Sequence, residues 1–203
     1  SDLVMVEELA AYSTIPIVNA LSDKAHPCQA LADIMTVQER FADLSAVQVA
    51  YVGDGNNVAR SLATVCAKLG VDFRMAAPAG YQFDDECEKQ VREFADQTGA
   101  GLEITDSPHA AVQGAHVIYT DTWVSMGQEE EARQRMEAFE GFCVDDHLCQ
   151  GAADDHIVLH CLPAHRGHEI TESVIEGPHS AVFDEAGNRL HAQRALLHLL
   201  MNK

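Results

Sequence analysis

Short apolar runs alternating with segments of helical periodicity constrain this chain more than any other feature. The runs lie at residues 47–52, 71–77, 102–105, 116–120 and 157–162. Each is short and bounded by Gly, Pro or polar residues, which marks a buried strand rather than a buried helix. Between them, residues 56–69 place Leu62, Val65, Cys66 and Leu69 on one helical face. Residues 84–97 open on Asp84, Asp85 and Glu86, which suit the positive end of a helix dipole. Ser107-Pro108 supplies a capping side chain and a proline at the first helical position. Residues 128–139 read as a charged helix. Strand, helix and strand in this rhythm predict an α/β fold, doubly wound and Rossmann-like, with a mostly parallel sheet and helices on both faces. Ligands of such sheets bind beyond the carboxyl ends of the strands. Polar clusters fall at three such ends: 53–57, 121–127 and 160–167.

The two ends of the chain read differently. Residues 1–25 suggest a short helix (5–12) and a strand (15–21), too little to close a second core. The last helix, 188–201, carries Leu190, Leu196, Leu197 and Leu200 in a stripe that needs a covering surface, so Leu196, Leu197 or Leu200 is expected to be poorly covered. The 203 residues hold 32 acidic and 13 basic side chains, a formal net charge of -19. That balance excludes nucleic acid as a partner, because phosphate must be neutralised by Lys and Arg. It reads as a solvated acidic surface, with a salt-rich habitat as the sharper alternative. No run approaches the roughly 20 apolar residues of a membrane helix. The acidic N-terminus lacks the basic start and apolar stretch of a signal peptide. A cytoplasmic protein with no membrane partner is expected. The six cysteines form no C-x-x-C pair, which argues against a zinc knuckle or disulfide framework. Most read as small buried apolar residues.

Four motifs carry chemistry. Gly53-Asp54-Gly55-Asn56-Asn57-Val58 has the strand, glycines and helix start of a dinucleotide loop. It lacks the third glycine, and the next strand ends in Ala76-Ala77-Pro78 with no acid for a ribose. A tight turn aiming Asn56 or Asn57 into a cleft fits better, with simple helix capping as the alternative. His26-Pro27-Cys28-Gln29 opens a helix with Pro at its first position, placing His26 and Gln29 at an N-terminus that attracts anions and carbonyl oxygens, and Asp33 one turn later strengthens the reading as a site. Asp121-Thr122-Trp123-Val124-Ser125-Met126-Gly127 follows a buried strand and holds the single Trp. Asp121 there can hold a cation, and Ser125 with its backbone a carboxylate. His160-Cys161-Leu162-Pro163-Ala164-His165-Arg166-Gly167 ends another strand. A metal site of His160, Cys161, His165 and His168 is disfavoured, because strand alternation separates the first pair and the spacing fits no standard ligand set. A thiol beside a polar cleft suits proton handling or substrate contact.

In order and spacing, HPCQALAD, GDGNN, DTWVSMGQ, HCLPAHRG and Asn188-Arg189 resemble the ornithine carbamoyltransferase family over essentially the whole chain. HPxQ also marks the aspartate enzymes; SMG and HCLP are the ornithine signals. The resemblance implies transfer of a carbamoyl group from carbamoyl phosphate to the δ-amine of L-ornithine, with no cofactor and no metal. It implies that His26, Gln29, Cys161, Leu162 and Arg189 bind carbamoyl phosphate, with His26 donating to the carbamoyl oxygen. Asn57, Asp121, Ser125 and Met126 would hold ornithine. Cys161, as proton acceptor, with His26 and Asp121 would form the catalytic group, and Leu162-Pro163 would be cis. A homotrimer follows from the same resemblance. So does a division into residues 1–25 (end of a carbamoyl-phosphate domain), 26–43 (linking helix), 44–186 (ornithine domain) and 187–203 (a helix returning to the first domain). Two departures stand out. Gly187 replaces the family's usual Glu before Asn188-Arg189, which raises the question of how Arg189 is aimed. The family's Ser-Thr-Arg-Thr-type phosphate loop does not occur, so a fragment that is inactive alone is expected. The competing readings are a non-catalytic amino-acid-binding module and a carbamoyltransferase for a related amine.

Overall fold

The computed structural model describes residues 2–124 and 131–202. Five parallel strands form one sheet: β1 (Gln48–Val52), β2 (Asp72–Ala76), β3 (Leu102–Thr105), β4 (Val117–Thr120) and β5 (Ile157–His160), in the order β3-β2-β1-β4-β5. The order reverses direction between β1 and β4, which opens a crevice at their carboxyl ends. Successive residues along each strand face opposite sides. Tyr51, Phe73, Met75, Tyr119 and Leu159 therefore build one core, and Ala50, Val52, Ala76, Ile118 and Val158 the other.

Helices cover both faces as expected. α2 (Pro27–Arg40), α3 (Asn57–Leu69) and α4 (Asp85–Thr98) contribute to the first core, while α5 (Pro108–Val112), α7 (Asp146–Cys149) and α8 (Glu172–Ile175) contribute to the second. Their starts are set by local chemistry. Asn56, Asp84 and Ser107 each accept backbone N–H bonds at the first turn of α3, α4 and α5, and Gly70 and Gly99 close α3 and α4 in the left-handed conformation. α6 (Ala132–Ala138) follows the second polar cluster, and α9 (Val182–Met201) crosses α2.

Two expectations at the ends need correction. Residues 15–21 form no strand; they run without regular structure, since Pro16 and the lack of a neighbouring ladder leave nothing to pair with. The last helix begins at Val182, so Gly187 lies inside a continuous helix rather than before it. The first helix, α1 (Leu3–Tyr12), has no buried residue. The apolar stripe of α9 is partly uncovered: Leu197 is 51% exposed, while Leu196 and Leu200 are half-buried.

Candidate active site

The crevice at the switch point is an open cleft of about 1590 Å³, walled by His26, Asn56, Asn57, Asp121, Cys161, Leu162 and Arg189 among others. Its centre is Asp121, immediately beyond β4 and only 6% exposed. Asp121 Oδ1 accepts from Cys161 Sγ at 3.0 Å and from the Thr122 N–H at 2.7 Å, and Oδ2 accepts from Asn56 Nδ2 at 2.8 Å. Three sequence clusters thus meet on one carboxylate. Asn56 both caps α3 and reaches the cleft, so the two readings of that asparagine are both realised. Asn57, beside it on the cleft wall, donates to the Ser22 carbonyl at 2.7 Å.

Cys161 is held as a thiol. Burial pushes its pKa well up, and the Asp121 charge and hydrogen bond push in the same direction. In this resting geometry Sγ therefore carries a proton directed at Asp121, and cannot accept one until that proton has left. This modifies the expected role of proton acceptor. Asp121, His160 and Cys161 also bring potential ligand atoms within 4.8 Å of one another. However, His160 Nδ1 accepts the Leu162 N–H at 2.9 Å and Nε2 bonds Glu169 at 3.2 Å, so both ring nitrogens are engaged. A cation there would have to displace those bonds, and the group does not fit a ready metal site.

His26 heads α2, with its backbone N–H on Ser61 Oγ at 2.7 Å. Its Nδ1 lies 2.7 Å from the Ala20 carbonyl, so that nitrogen carries the proton. Burial lowers its pKa, with the Arg189 charge adding to the effect. Nε2 of the neutral ring then presents a lone pair, and donation to a carbamoyl oxygen requires the doubly protonated imidazole. Arg189 reaches the cleft from α9. Its Nη1 donates to Gln29 Oε1, and the Gln193 amide, with its oxygen turned toward the guanidinium, accepts from Nε and Nη2. Gly187 therefore leaves Arg189 aimed. Gln29 sits behind the wall at 1% exposure rather than on it. Leu162 lines the cleft, its bond to Pro163 is cis, and its φ of 57° is the single left-handed non-glycine conformation among the described residues. A branched side chain there costs about 1–2 kcal/mol, a strain typical of residues held for function. Ser125 and Met126 lie outside the described residues.

Several structural partners of the site were not predicted. Arg135 of α6, 7% exposed, donates to Asp54 Oδ2 at 2.7 Å and to the Trp123 carbonyl at 3.2 Å. It ties the glycine-rich turn to the segment after β4. Glu169, 1% exposed, accepts from the His165 N–H and bonds His160. Burial alone would raise its pKa, but these bonds outweigh burial and the net shift is downward. Glu185 lies beneath Gln29, beside the Asp33 that the helix spacing already associates with the site. In the sequence Arg135, Glu169 and Glu185 are each one charged residue in an amphipathic helix or loop, and no local signal separates them from solvated ones.

The family model for the Asp/Orn binding domain of aspartate/ornithine carbamoyltransferase matches residues 45–200, and that for the carbamoyl-P binding domain matches residues 2–39. The chain belongs to the aspartate/ornithine carbamoyltransferase family. It is 56% identical over 197 residues to the ornithine carbamoyltransferase of Acidothermus cellulolyticus, covering 97% of this chain and 63% of that relative. Among solved structures, ornithine carbamoyltransferase from Pyrococcus furiosus superposes with a TM-score of 0.95 at 50% identity, covering 99% of this chain and 64% of that one. The enzyme from Gloeobacter violaceus gives a TM-score of 0.91 at 47% identity, covering 98% and 66%. The chain thus spans somewhat under two thirds of the length of these relatives. The β1/β4 switch point lies within the segment that the Asp/Orn binding domain model matches.

Proposed function

We infer that this chain forms the amino-acid half of an ornithine carbamoyltransferase site, converting carbamoyl phosphate and L-ornithine to L-citrulline and phosphate. The observation that carries the reading is the convergence of Asp121, Cys161 and Asn56 opposite His26 and Arg189 in one cleft. The δ-amine attacks the carbamoyl carbon, a C–N bond forms, the C–O bond to phosphate breaks, and the nitrogen loses a proton. An alkylammonium with an ordinary pKa of about 10.4 must be deprotonated first. Asp121 is suited to hold and orient the amine. Cys161, bonded to the same carboxylate, can return or relay a proton only after its own has moved. Arg189 and a protonated His26 would offset charge developing on the carbamoyl oxygen and leaving phosphate. Asn57, Ser125 and Met126 would complete the ornithine side, and Gln29 and Leu162 the carbamoyl side. The anabolic label of the Pyrococcus furiosus relative favours arginine synthesis as the setting. Free thiols at all six cysteines fit a reducing cytoplasm. The exposed apolar residues of α1 and α9 fit assembly into a homotrimer.

The test is citrulline formation by the native protein at full length with both substrates, together with calorimetry for each; the 203-residue chain alone should form none. Ornithine-dependent and carbamoyl-phosphate-dependent citrulline is the expected result. Ornithine binding without turnover in the native protein at full length would favour an amino-acid-binding module instead. Turnover of another amine in preference to ornithine would favour a related carbamoyltransferase.

A further inference from the structure

Behind the cleft, where α2 crosses α9, two carboxyl side chains are fully buried together: Asp33 and Glu185, each 0% exposed. Gln29 Nε2 donates one hydrogen to Asp33 Oδ1 at 2.8 Å and the other to Glu185 Oε1 at 2.9 Å. That leaves Gln29 Oε1 facing outward, where it accepts from Arg189. Glu185 Oε1 also accepts from the Tyr119 hydroxyl at 3.2 Å, and Oε2 accepts from the His160 N–H at 2.9 Å. Every donor around the pair thus goes to Glu185 or to Asp33 Oδ1. Asp33 Oδ2 is buried with no donor among the described residues. Two buried carboxylates side by side repel, and an undonated carboxylate oxygen is costly. The groups facing them are Tyr51 on β1, Cys66 on α3, Tyr119 on β4, His160 and Cys161 at the end of β5, and Arg189 on α9. Of these, Arg189 is the one permanent cation, and it meets the pair through Gln29.

We propose that Asp33 and Glu185 share a single proton, carried by Asp33, and act as a positioning pair that aims the Gln29 amide and Arg189 at the carbamoyl end of the cleft. The positioning role rests on the function proposed above; the proton assignment does not. Its location follows from the donor count. Glu185 accepts three hydrogen bonds and must be the acceptor-only partner, whereas Asp33 has an idle oxygen that a proton turns into a donor toward Glu185. Burial raises both groups, as one shared proton requires. The same geometry links the pair to the strand end that carries Cys161, since Glu185 holds the His160 N–H.

The assignment makes the two acids unequal. Asp33→Asn keeps an acceptor for Gln29 and supplies a donor to Glu185, reproducing the protonated acid. Glu185→Gln sets an amide NH2 against the His160 N–H or the Gln29 amide, whichever way it turns. Infrared difference spectra of the native protein at full length should show the carbonyl stretch of a protonated carboxylic acid at neutral pH, moving in D2O and missing in Asp33→Asn. Glu185→Gln should melt well below Asp33→Asn. Asp33→Ala should weaken carbamoyl phosphate binding about tenfold by calorimetry, as loss of a buried hydrogen-bond partner implies, and Asp33→Asn should recover most of that affinity. No acid band in the wild type, a band that survives in Asp33→Asn, equal melting of the two amide variants, or unchanged affinity in Asp33→Ala would each overturn the proposal. A wild type that binds carbamoyl phosphate but forms no citrulline would overturn the proposed function and leave the pair standing. One that binds no carbamoyl phosphate would overturn both the function and the positioning role.

Discussion

At the scale of single residues, Asp121 decides the chemistry, because Asn56, Cys161 and the Thr122 N–H all donate to it. Asp121→Asn removes a charge and sets an amide NH2 against one of these donors. The expected loss in kcat/KM for ornithine is about 10²–10³-fold, the range seen when one preorganised electrostatic partner is removed. The substitution also acts on Cys161. Burial is the main reason its thiol resists ionisation, but the Asp121 charge is next, so Asp121→Asn should lower the thiol pKa. Alkylation rate against pH would record this as a shift to lower pH, and an unmoved profile would mean the thiol and carboxylate are not in contact in solution. Asp121, Cys161 and His26 were legible in the sequence because each stands where a predicted strand ends or a helix begins. Glu185 and Arg135 were not, and of Asp33 only its place one turn into the helix after Gln29 was. A charged residue on an amphipathic helix ordinarily marks the solvated face, and only the crossing of α2 with α9, or of α6 over the glycine-rich turn, buries these.

At the scale of elements, glycines separate what periodicity could read from what it could not. The five strands of the sheet were placed within a residue or two, since buried parallel strands are continuous apolar runs. The role of Gly55 was not readable. The motif reads as a tight turn without saying what the turn meets, and a side chain there would stand 2.8 Å from the Gln82 carbonyl carbon and 2.9 Å from its oxygen. Close approach of the turn to the segment after β2 is thus what requires glycine. Gly55→Ala should destabilise by about 1–3 kcal/mol through overpacking, with a matching fall in melting temperature. An unchanged melting temperature would mean the turn relaxes freely. Gly187 is the opposite case. It stands just before the helix expected from the sequence, but it lies within α9 and nothing stands within 4 Å of an added Cβ. Gly187→Ala should therefore stabilise by about 0.5–1 kcal/mol. Loss of stability in that variant would show that another chain packs against this position.

At the scale of the whole molecule, the formal net charge of -19 opposes compaction, and the exposed ion pairs, such as Arg166 with Glu172, offset little of it. Salt that screens beyond about 10 Å at 0.1 M should raise the melting temperature, most steeply at low ionic strength. A flat or falling response would remove electrostatic repulsion from the account. The pH response is set by particular buried groups rather than by net charge. His156 stacks on His179 with ring centroids 4.1 Å apart, and burial lowers its pKa from 6.5. Folded, it binds fewer protons than unfolded, so its contribution is present above the ordinary value and is lost as pH falls. Glu169, also lowered from its ordinary 4.5, acts in the same direction at lower pH. Asp33 acts oppositely: raised from 3.8, its contribution is present in acid and is lost as pH rises. Between about pH 7 and about pH 5 His156 and His26, whose pKa burial also lowers, remove stability as pH falls, while a protonated Asp33 adds it, so the melting temperature reports their balance. His156→Asn retains an N–H donor for the Ala153 carbonyl, which His156 Nδ1 holds at 2.7 Å, but cannot take up the proton. On acidification across the interval its melting temperature should fall less, or rise more, than that of the wild type. Parallel curves would assign the acid sensitivity to groups other than the stacked histidines.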